Sequence, residues 1–354
     1  MPRLIGAPAN TCLRPNDWPA ADRLVWERAT APSRGPFRSK GGGRARNTAT
    51  RRKTERGYGA WLSFLRQCGD LDPAETPAQR ITPERLDAYF AHLTTCGNAD
   101  VTVTGRFAEL QTALRWMHPG DDFRWITRPN GVALRALLTM RRRELFVPDT
   151  GVLLEWAQAL FAEGLAHRTA RGRRALVREA AMIALLAVCA PRLRALTALR
   201  LGVHLRRQGK EWVLDQDAGI TKTKTALTLP VAAPAAAILD RYVAVERREL
   251  LGAGTCDALW IAAGGGPAAY ETIAKRIRIR ARQRFGVPFG PHRFRTSLAT
   301  SLAMHAPDHP LDAAAILGHT SPAVTLKHYN RSRGHLAAQR WSERLKQFRE
   351  RHRD

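Results

Sequence analysis

Residues Ala180–Ala190, AAMIALLAVCA, are apolar at every position. A helix that is apolar all round has to be enclosed by other apolar elements. The stretch falls short of the roughly 20 residues that span a bilayer, and it lacks the alternation of a half-buried strand. It therefore predicts a buried helix inside a folded domain. The chain is long enough to build such a domain: its 354 residues, 44% of them hydrophobic, imply two domains and a tail.

The pattern along the chain divides it further. Residues 1–45 are rich in Pro, Gly and Arg, with Gly41-Gly42-Gly43 as a break, and read as a basic, poorly structured tail. Residues 46–143 read as a helical domain. Tyr58, Trp61, Leu62 and Leu65 fall at helical spacing, as do Leu86, Tyr89, Phe90 and Leu93 behind the cap Thr82 and the first-turn Pro83. A third helix carries Phe107, Leu110, Leu114 and Met117, and a fourth is expected across VALRALLTMRRREL. Residues 144–150, with Phe146-Val147-Pro148, form an extended linker. A larger domain follows over 151–334. It opens with helices and passes through a short β region, EWVLDQ then TKTKTALTLPV, before helices resume near Pro267. A last amphipathic helix within 335–354 carries Leu336, Trp341, Leu345 and Phe348.

Charge narrows the partner. There are 57 Lys and Arg against 31 Asp and Glu, a net charge of +26. Such a chain attracts polyanions, and nucleic acid leads because neutralised phosphates release counterions. The run Arg34–Arg56 holds a single acid, Glu55. Candidate DNA contacts are Arg44, Arg46, Arg51, Arg52, Lys53, Arg141, Arg142, Arg143 and Lys224. The five scattered cysteines lack C-x-x-C spacing, so neither a zinc site nor a disulfide framework is indicated, and a reducing compartment fits. With no membrane-length apolar run and no signal-peptide core, the expected location is the cytoplasm.

Five stretches carry candidate chemistry. Arg192, in Ala190-Pro191-Arg192-Leu193-Arg194-Ala195, follows the buried helix, at a point where Pro191 can restart one. A guanidinium there can grip a phosphate through two parallel hydrogen bonds. Lys222, with Lys224 as a rival, lies near a predicted turn between two strands, where an ammonium can protonate a leaving oxygen. His292 and Arg295 are three apart and share one helix face, a proton shuttle beside a phosphate clamp. His319, in Leu317-Gly318-His319-Thr320-Ser321-Pro322, precedes a helix start at Ser321 and Pro322. Tyr329 follows ten residues after His319, and a tyrosine hydroxyl can form a covalent intermediate. Taken singly, each has a plainer explanation as a surface cation, a turn histidine or a packing tyrosine.

Their order is the stronger signal. Arg, Lys, His-x-x-Arg, Leu-Gly-His and Tyr, in that sequence within one predicted domain, resemble the tyrosine recombinases, the phage integrase family. The resemblance covers about residues 50–345. It implies a mainly α fold with a small antiparallel β-sheet in the catalytic domain. The implied architecture has two domains, a helical SAM-like core-binding domain plus an α/β catalytic domain. It further implies that Arg192, Lys222, His292, Arg295, His319 and Tyr329 are the catalytic set, that Pro230 closes the strand after the lysine, and that the last helix passes to a neighbouring protomer. One position departs from the family: the usual carboxylate three residues after the first arginine is Ala195 here.

The implied activity is site-specific DNA recombination through a 3′-phosphotyrosyl bond. It requires neither ATP nor a catalytic metal, because the phosphodiester bond energy is kept. Double-stranded DNA is the expected partner, with a homotetramer on DNA held through the C-terminal helix and no membrane or small-molecule ligand. Two rivals are a type IB topoisomerase-like enzyme and a non-catalytic DNA-binding relative, the second kept alive by Ala195. A generic charge binder explains +26 but not the ordered motifs.

Overall fold

The computed structural model describes residues 11–31, 47–140, 146–217, 219, 226–306, 308–309, 311–318 and 344. The chain falls into two units, Met1–Glu144 and Leu145–Asp354.

In the first unit α1 (Ala20–Thr30), α2 (Thr48–Cys68), α3 (Pro83–Thr95) and α4 (Asp100–Met117) surround one core. The local reasons are visible in the caps. Asn47 accepts from the Thr50 amide at the start of α2, and Gly69, at φ 80°, ends it in the left-handed conformation. Thr82 accepts from the Arg85 amide ahead of α3, with Pro83 in the first turn as its sequence predicts. Two glycines let other chain segments close on α2. A Cβ on Gly57 would stand 2.2 Å from Glu109 Cβ of α4, and one on Gly59 would stand 2.2 Å from the Leu13 carbonyl oxygen. The Leu13 amide donates to the Gly59 carbonyl at that same approach.

Two expectations are corrected here. The basic tail was placed over residues 1–45, yet residues 11–31 are built into the core: Leu13, Trp18 and Trp26 are buried, and Trp26 stacks on Trp116 of α4. The Pro- and Gly-rich composition hid three apolar anchors that pay for ordering the segment. The fourth helix, across VALRALLTMRRREL, is not formed over 132–140; a short 3-10 turn, Leu134–Ala136, stands in its place. Leu134 is buried and Leu138 packs partly against the core, but Val132 and Leu137 are exposed, so the segment offers too little apolar contact to hold a helix.

The unit's deepest polar group is an ion pair. Arg80 and Asp22 are both fully buried, 2.6 Å apart, and the Tyr58 hydroxyl donates to the same carboxylate. Burial and the Asp22 charge push the Tyr58 pKa well up, so it stays a donor.

The second unit is built round the helix that the apolar run predicts. In α6 (Ala170–Cys189), every residue from Ala180 to Ala187 is buried. Its partner α5 (Thr150–Leu165) is capped by Asp149, which accepts from the Gly151 amide. Gly164 permits the close contact, since a Cβ there would meet Val177 and Leu176 of α6. The short α7 (Leu193–Ala198) follows. Then β1 (Leu205–Gln208), β2 (Glu211–Gln216) and β3 (Leu227–Pro230) form an antiparallel sheet in the order β1-β2-β3. Leu214 pairs with Leu205 on one side and Leu229 on the other.

Next come α8 (Ala233–Arg241), a π turn at Tyr242–Glu246 and α9 (Arg247–Leu251), then α10 (Tyr270–Phe285), α11 (His292–His305) and α12 (Asp312–Leu317). Buried Glu179 of α6 takes both Arg276 and Arg280 of α10 at 2.6 Å. Phe146 lies against Phe285 and Phe289, although it is itself exposed. The C-terminal helix expected within 335–354 lies outside the described residues, apart from Arg344. Among the described residues no helix is long and apolar enough to cross a membrane.

Removing one partner of a buried ion pair strands the other charge. Asp22→Ala is expected to cost the first unit about 3–5 kcal/mol, measured by denaturant unfolding followed by tryptophan fluorescence. An unchanged midpoint would mean that residues 11–31 are indeed a dispensable tail.

Candidate active site

Three of the six predicted catalytic residues are described, and they come together at one place in the second unit. Arg192 is the residue at which α7 begins. Its backbone is extended and its side chain does not cap the helix, so α7 starts after Arg192 rather than at Pro191. His292 opens α11 and Arg295 lies one turn on.

Arg295 is 7% exposed. Its Nη1 donates to the Ala190 carbonyl at 2.8 Å and its Nη2 to the Leu317 carbonyl at 2.6 Å. Ala190 is the C-cap of α6 and Leu317 the last residue of α12. The orphan carbonyls of two helix ends, each carrying partial negative charge, thus meet one guanidinium. Burial, and secondly the charge of Arg192, lower the Arg295 pKa to about 10. The group remains cationic at neutral pH.

His292 is exposed at the rim. Partial desolvation of its ring, followed by the charges of Arg295, Arg293 and Arg192, lowers its pKa. It is neutral at pH 7 and able to accept a proton. The charge of Arg192 is thus felt at both His292 and Arg295. Among the described residues no carboxylate pairs with Arg192, Arg293 or Arg295. Ala195, where the family carries an acid, is buried in α7. A cluster of like charges without an internal counterion is an anion site.

The other end of α11 is fixed to the start of α5. Asp149 accepts from Ser301 Oγ at 2.7 Å and meets His305 Nε2 at 2.9 Å, while the Thr150 amide donates to Ser301 Oγ. Burial alone would raise the Asp149 pKa, but the bonds from Ser301, Gly151 and His305 outweigh it and hold it below its usual value.

Lys222, Lys224, His319 and Tyr329 lie outside the described residues, as do Arg44, Arg46, Arg141, Arg142 and Arg143. Of the remaining candidate DNA contacts, Arg51 donates to the Thr30 carbonyl at the end of α1, Arg52 is exposed, and Lys53 is 3.6 Å from Glu109. Sequence reasoning passed over Arg293 and the Asp149–Ser301–His305 tie. Adjacency to His292 was the available signal for the first. The second joins residues some 150 positions apart and leaves no local trace.

Residues 163–335 match the model described as the phage integrase family. Over that span the chain is similar to the phage integrase family. Solved structures agree on the fold of the chain. A XerH site-specific recombinase bound to a palindromic difH substrate, in a post-cleavage complex, is 13% identical with a TM-score of 0.60, over 91% of this chain and 94% of that one. The Tn1549 transposon integrase in complex with transposon right end DNA is 18% identical with a TM-score of 0.59, over 85% of this chain and 95% of that one. No curated protein matches the chain. The mainly helical fold with a small antiparallel sheet is therefore the one that the ordered motifs imply.

Lysine cannot reproduce the two-pronged bond of Arg295. Arg295→Lys is expected to destabilise the second unit by about 1.5–3 kcal/mol, the range for a lost hydrogen bond from a charged group. Urea unfolding of the full chain measures it, and an unaltered midpoint would show that the two carbonyl bonds contribute nothing.

Proposed function

We propose that this protein is a site-specific DNA recombinase that cuts and rejoins strands through a covalent bond to Tyr329. The observation that carries the reading is the convergence of Arg192, His292 and Arg295, with no acid among the described residues to neutralise them, within the span matched to the phage integrase family. Integration, excision and transposition all use this chemistry.

A phosphodiester resists attack because its charge repels nucleophiles, and the transition state gathers more charge on the nonbridging oxygens. Arg192 and Arg295, set on rigid helix junctions, stabilise that charge in a partly desolvated place. His319 adds a hydrogen bond. Tyr329 loses its phenolic proton to neutral His292, and its oxygen bonds to phosphorus. The bond from phosphorus to the 5′ oxygen breaks, and Lys222 gives that oxygen its proton. The products are a 3′-phosphotyrosyl bond and a free 5′ hydroxyl. A 5′ hydroxyl from a second duplex reverses the step. The bond energy is conserved, so the chemistry needs no ATP, and the arginines supply the charge that a metal would.

Exchange between two duplexes involves four cut strands, which calls for four protomers on DNA. The apolar residues Leu336, Trp341, Leu345 and Phe348 of the 335–354 segment are the proposed contact between them. The basic segment around Arg44, Arg46, Arg51, Arg52 and Lys53, together with Arg141, Arg142, Arg143 and Lys224, is proposed to follow phosphates, which position without reading sequence.

The decisive experiment uses a random-sequence pool of nicked duplexes, with adducts recovered after denaturation and sequenced. Wild-type protein is expected to yield adducts joined through Tyr329, and Tyr329→Phe none. Adducts that persist in Tyr329→Phe, or a wild type that forms none, would overturn the reading.

The lowered pKa of His292 fixes a second outcome. Its neutral, proton-accepting form persists below the ordinary value of 6.5 and is lost only as pH falls further. Single-turnover adduct formation should therefore fall off below pH 6.5, and His292→Gln should remove that fall. A midpoint above 6.5 would assign the proton to another group.

A further inference from the structure

The proposed reaction leaves one cation of the cluster unused. Arg293 occupies the second position of α11, between His292 and Phe294. It is half-buried; its Nε is closed off from solvent and has no hydrogen-bond acceptor. Other buried arginines of this unit each donate to an acceptor inside the protein. Arg178 donates to the Ile261 carbonyl, Arg247 to those of Cys256 and Ala258, and Arg295 to those of Ala190 and Leu317. A desolvated donor without an acceptor is costly to the fold. For the Nε of Arg293 no acceptor is found among the described residues, and the charge of Arg293 is felt at His292. What fits there is an anionic oxygen from outside the protein.

Helix geometry separates this anion from the one at Arg295. Residues two apart on an α-helix are turned by about 200°. Arg295 points into the junction of α6 and α12, and Arg293 leaves the helix on a different side. One phosphate cannot satisfy both side chains, whereas successive phosphates of one strand can.

We propose that Arg293 binds a phosphate of the cleaved strand next to the scissile one and so fixes the strand's register over the site. The proposal rests on the reading of Arg192 and Arg295 as the clamp on the scissile phosphate. Arg293 fills one of the two unspecified positions of the His-x-x-Arg box, and its assignment follows from the burial and the unmet donor of its Nε. It aligns the strand by holding a phosphate that does not react.

The test uses the full chain and the duplex sequences recovered from the nicked pool, remade with a single neutral methylphosphonate at each phosphate in turn. On the all-phosphate duplex, Arg293→Gln is expected to slow adduct formation about tenfold and to weaken binding, with Arg293→Lys intermediate. On the duplex neutralised at one non-scissile phosphate beside the cut, wild type and Arg293→Gln should become equal. Their penalty should persist at every other position. A structural role for Arg293 would instead lower the thermal midpoint and slow every duplex alike, and would overturn the proposal. So would a variant as fast as wild type on the all-phosphate duplex. If the pool yields no adduct even with wild type, the recombinase reading fails and this inference falls with it. If wild type reacts and the penalty is not confined to one position, only this inference falls.

Discussion

The guanidinium of Arg295 is the point on which the catalytic unit is hung. It ties the end of α6 to the end of α12 through two carbonyls, and both lie two residues before a motif residue: Ala190 before Arg192, Leu317 before His319. A planar fork with fixed donor directions is the side chain suited to this, since it sets the two carbonyls at a defined angle as well as a distance. The burial that makes the junction rigid ought to cost Arg295 its charge. The carbonyl dipoles of two helix ends offset that cost, and the pKa, lowered to about 10, still leaves the group cationic at neutral pH. Two of its five N–H donors are committed to the fold. The proposed phosphate clamp is thus also a structural tie.

The cluster contrasts with the ion pairs formed elsewhere in the chain, although buried Arg178 and Arg247 also go without an acid and donate to carbonyls. With a net charge of +26, the protein has few acids, and three of its buried ones each hold one or two arginines. Glu179 holds Arg276 and Arg280, Glu246 meets Arg173 and Arg241, and Asp22 takes Arg80. At Arg192, Arg293 and Arg295 no acid is placed among the described residues, and Ala195 occupies the position where the family has one. Mutual repulsion there destabilises the unliganded protein and is relieved when an anion enters.

How much of this was legible in the sequence follows from the range of each interaction. The all-apolar Ala180–Ala190 run predicted the central helix because its signal is local and unambiguous. Thr82 and Pro83 predicted the start of α3 for the same reason. The motif order brought out Arg192, His292 and Arg295, which the fold then gathers. The failures are cases where composition and tertiary context disagree. Residues 11–31 look like a tail by their Pro and Arg content, but Trp18 and Trp26 find partners in Tyr58 and Trp116 that no local pattern announces. The segment 132–140 has apolar residues at helical spacing, but only Leu134 is buried and Leu138 packs partly against the core, while Val132 and Leu137 are exposed. Arg293 looked like one more surface arginine because the burial of a single Nε is invisible before the fold is known.

The geometry around Arg295 also explains why small residues surround it. Ala190 adopts φ 42°, a left-handed conformation that costs an L-residue about 1–2 kcal/mol. The strain turns its carbonyl to Arg295 instead of continuing α6. Ala299 and Ala303 of α11, with Ala313 of α12, are buried in the same small cluster as Ala190 and Leu317. Methyl groups there let α11, α12 and the end of α6 approach within the reach of a single guanidinium. A larger side chain at Ala299 or Ala313 would part the helices by the width of the added carbons and draw at least one carbonyl out of bonding range, since packed interiors do not absorb such volume without shifting backbone. The anion site is therefore specified as much by alanines that touch no ligand as by the cations that do.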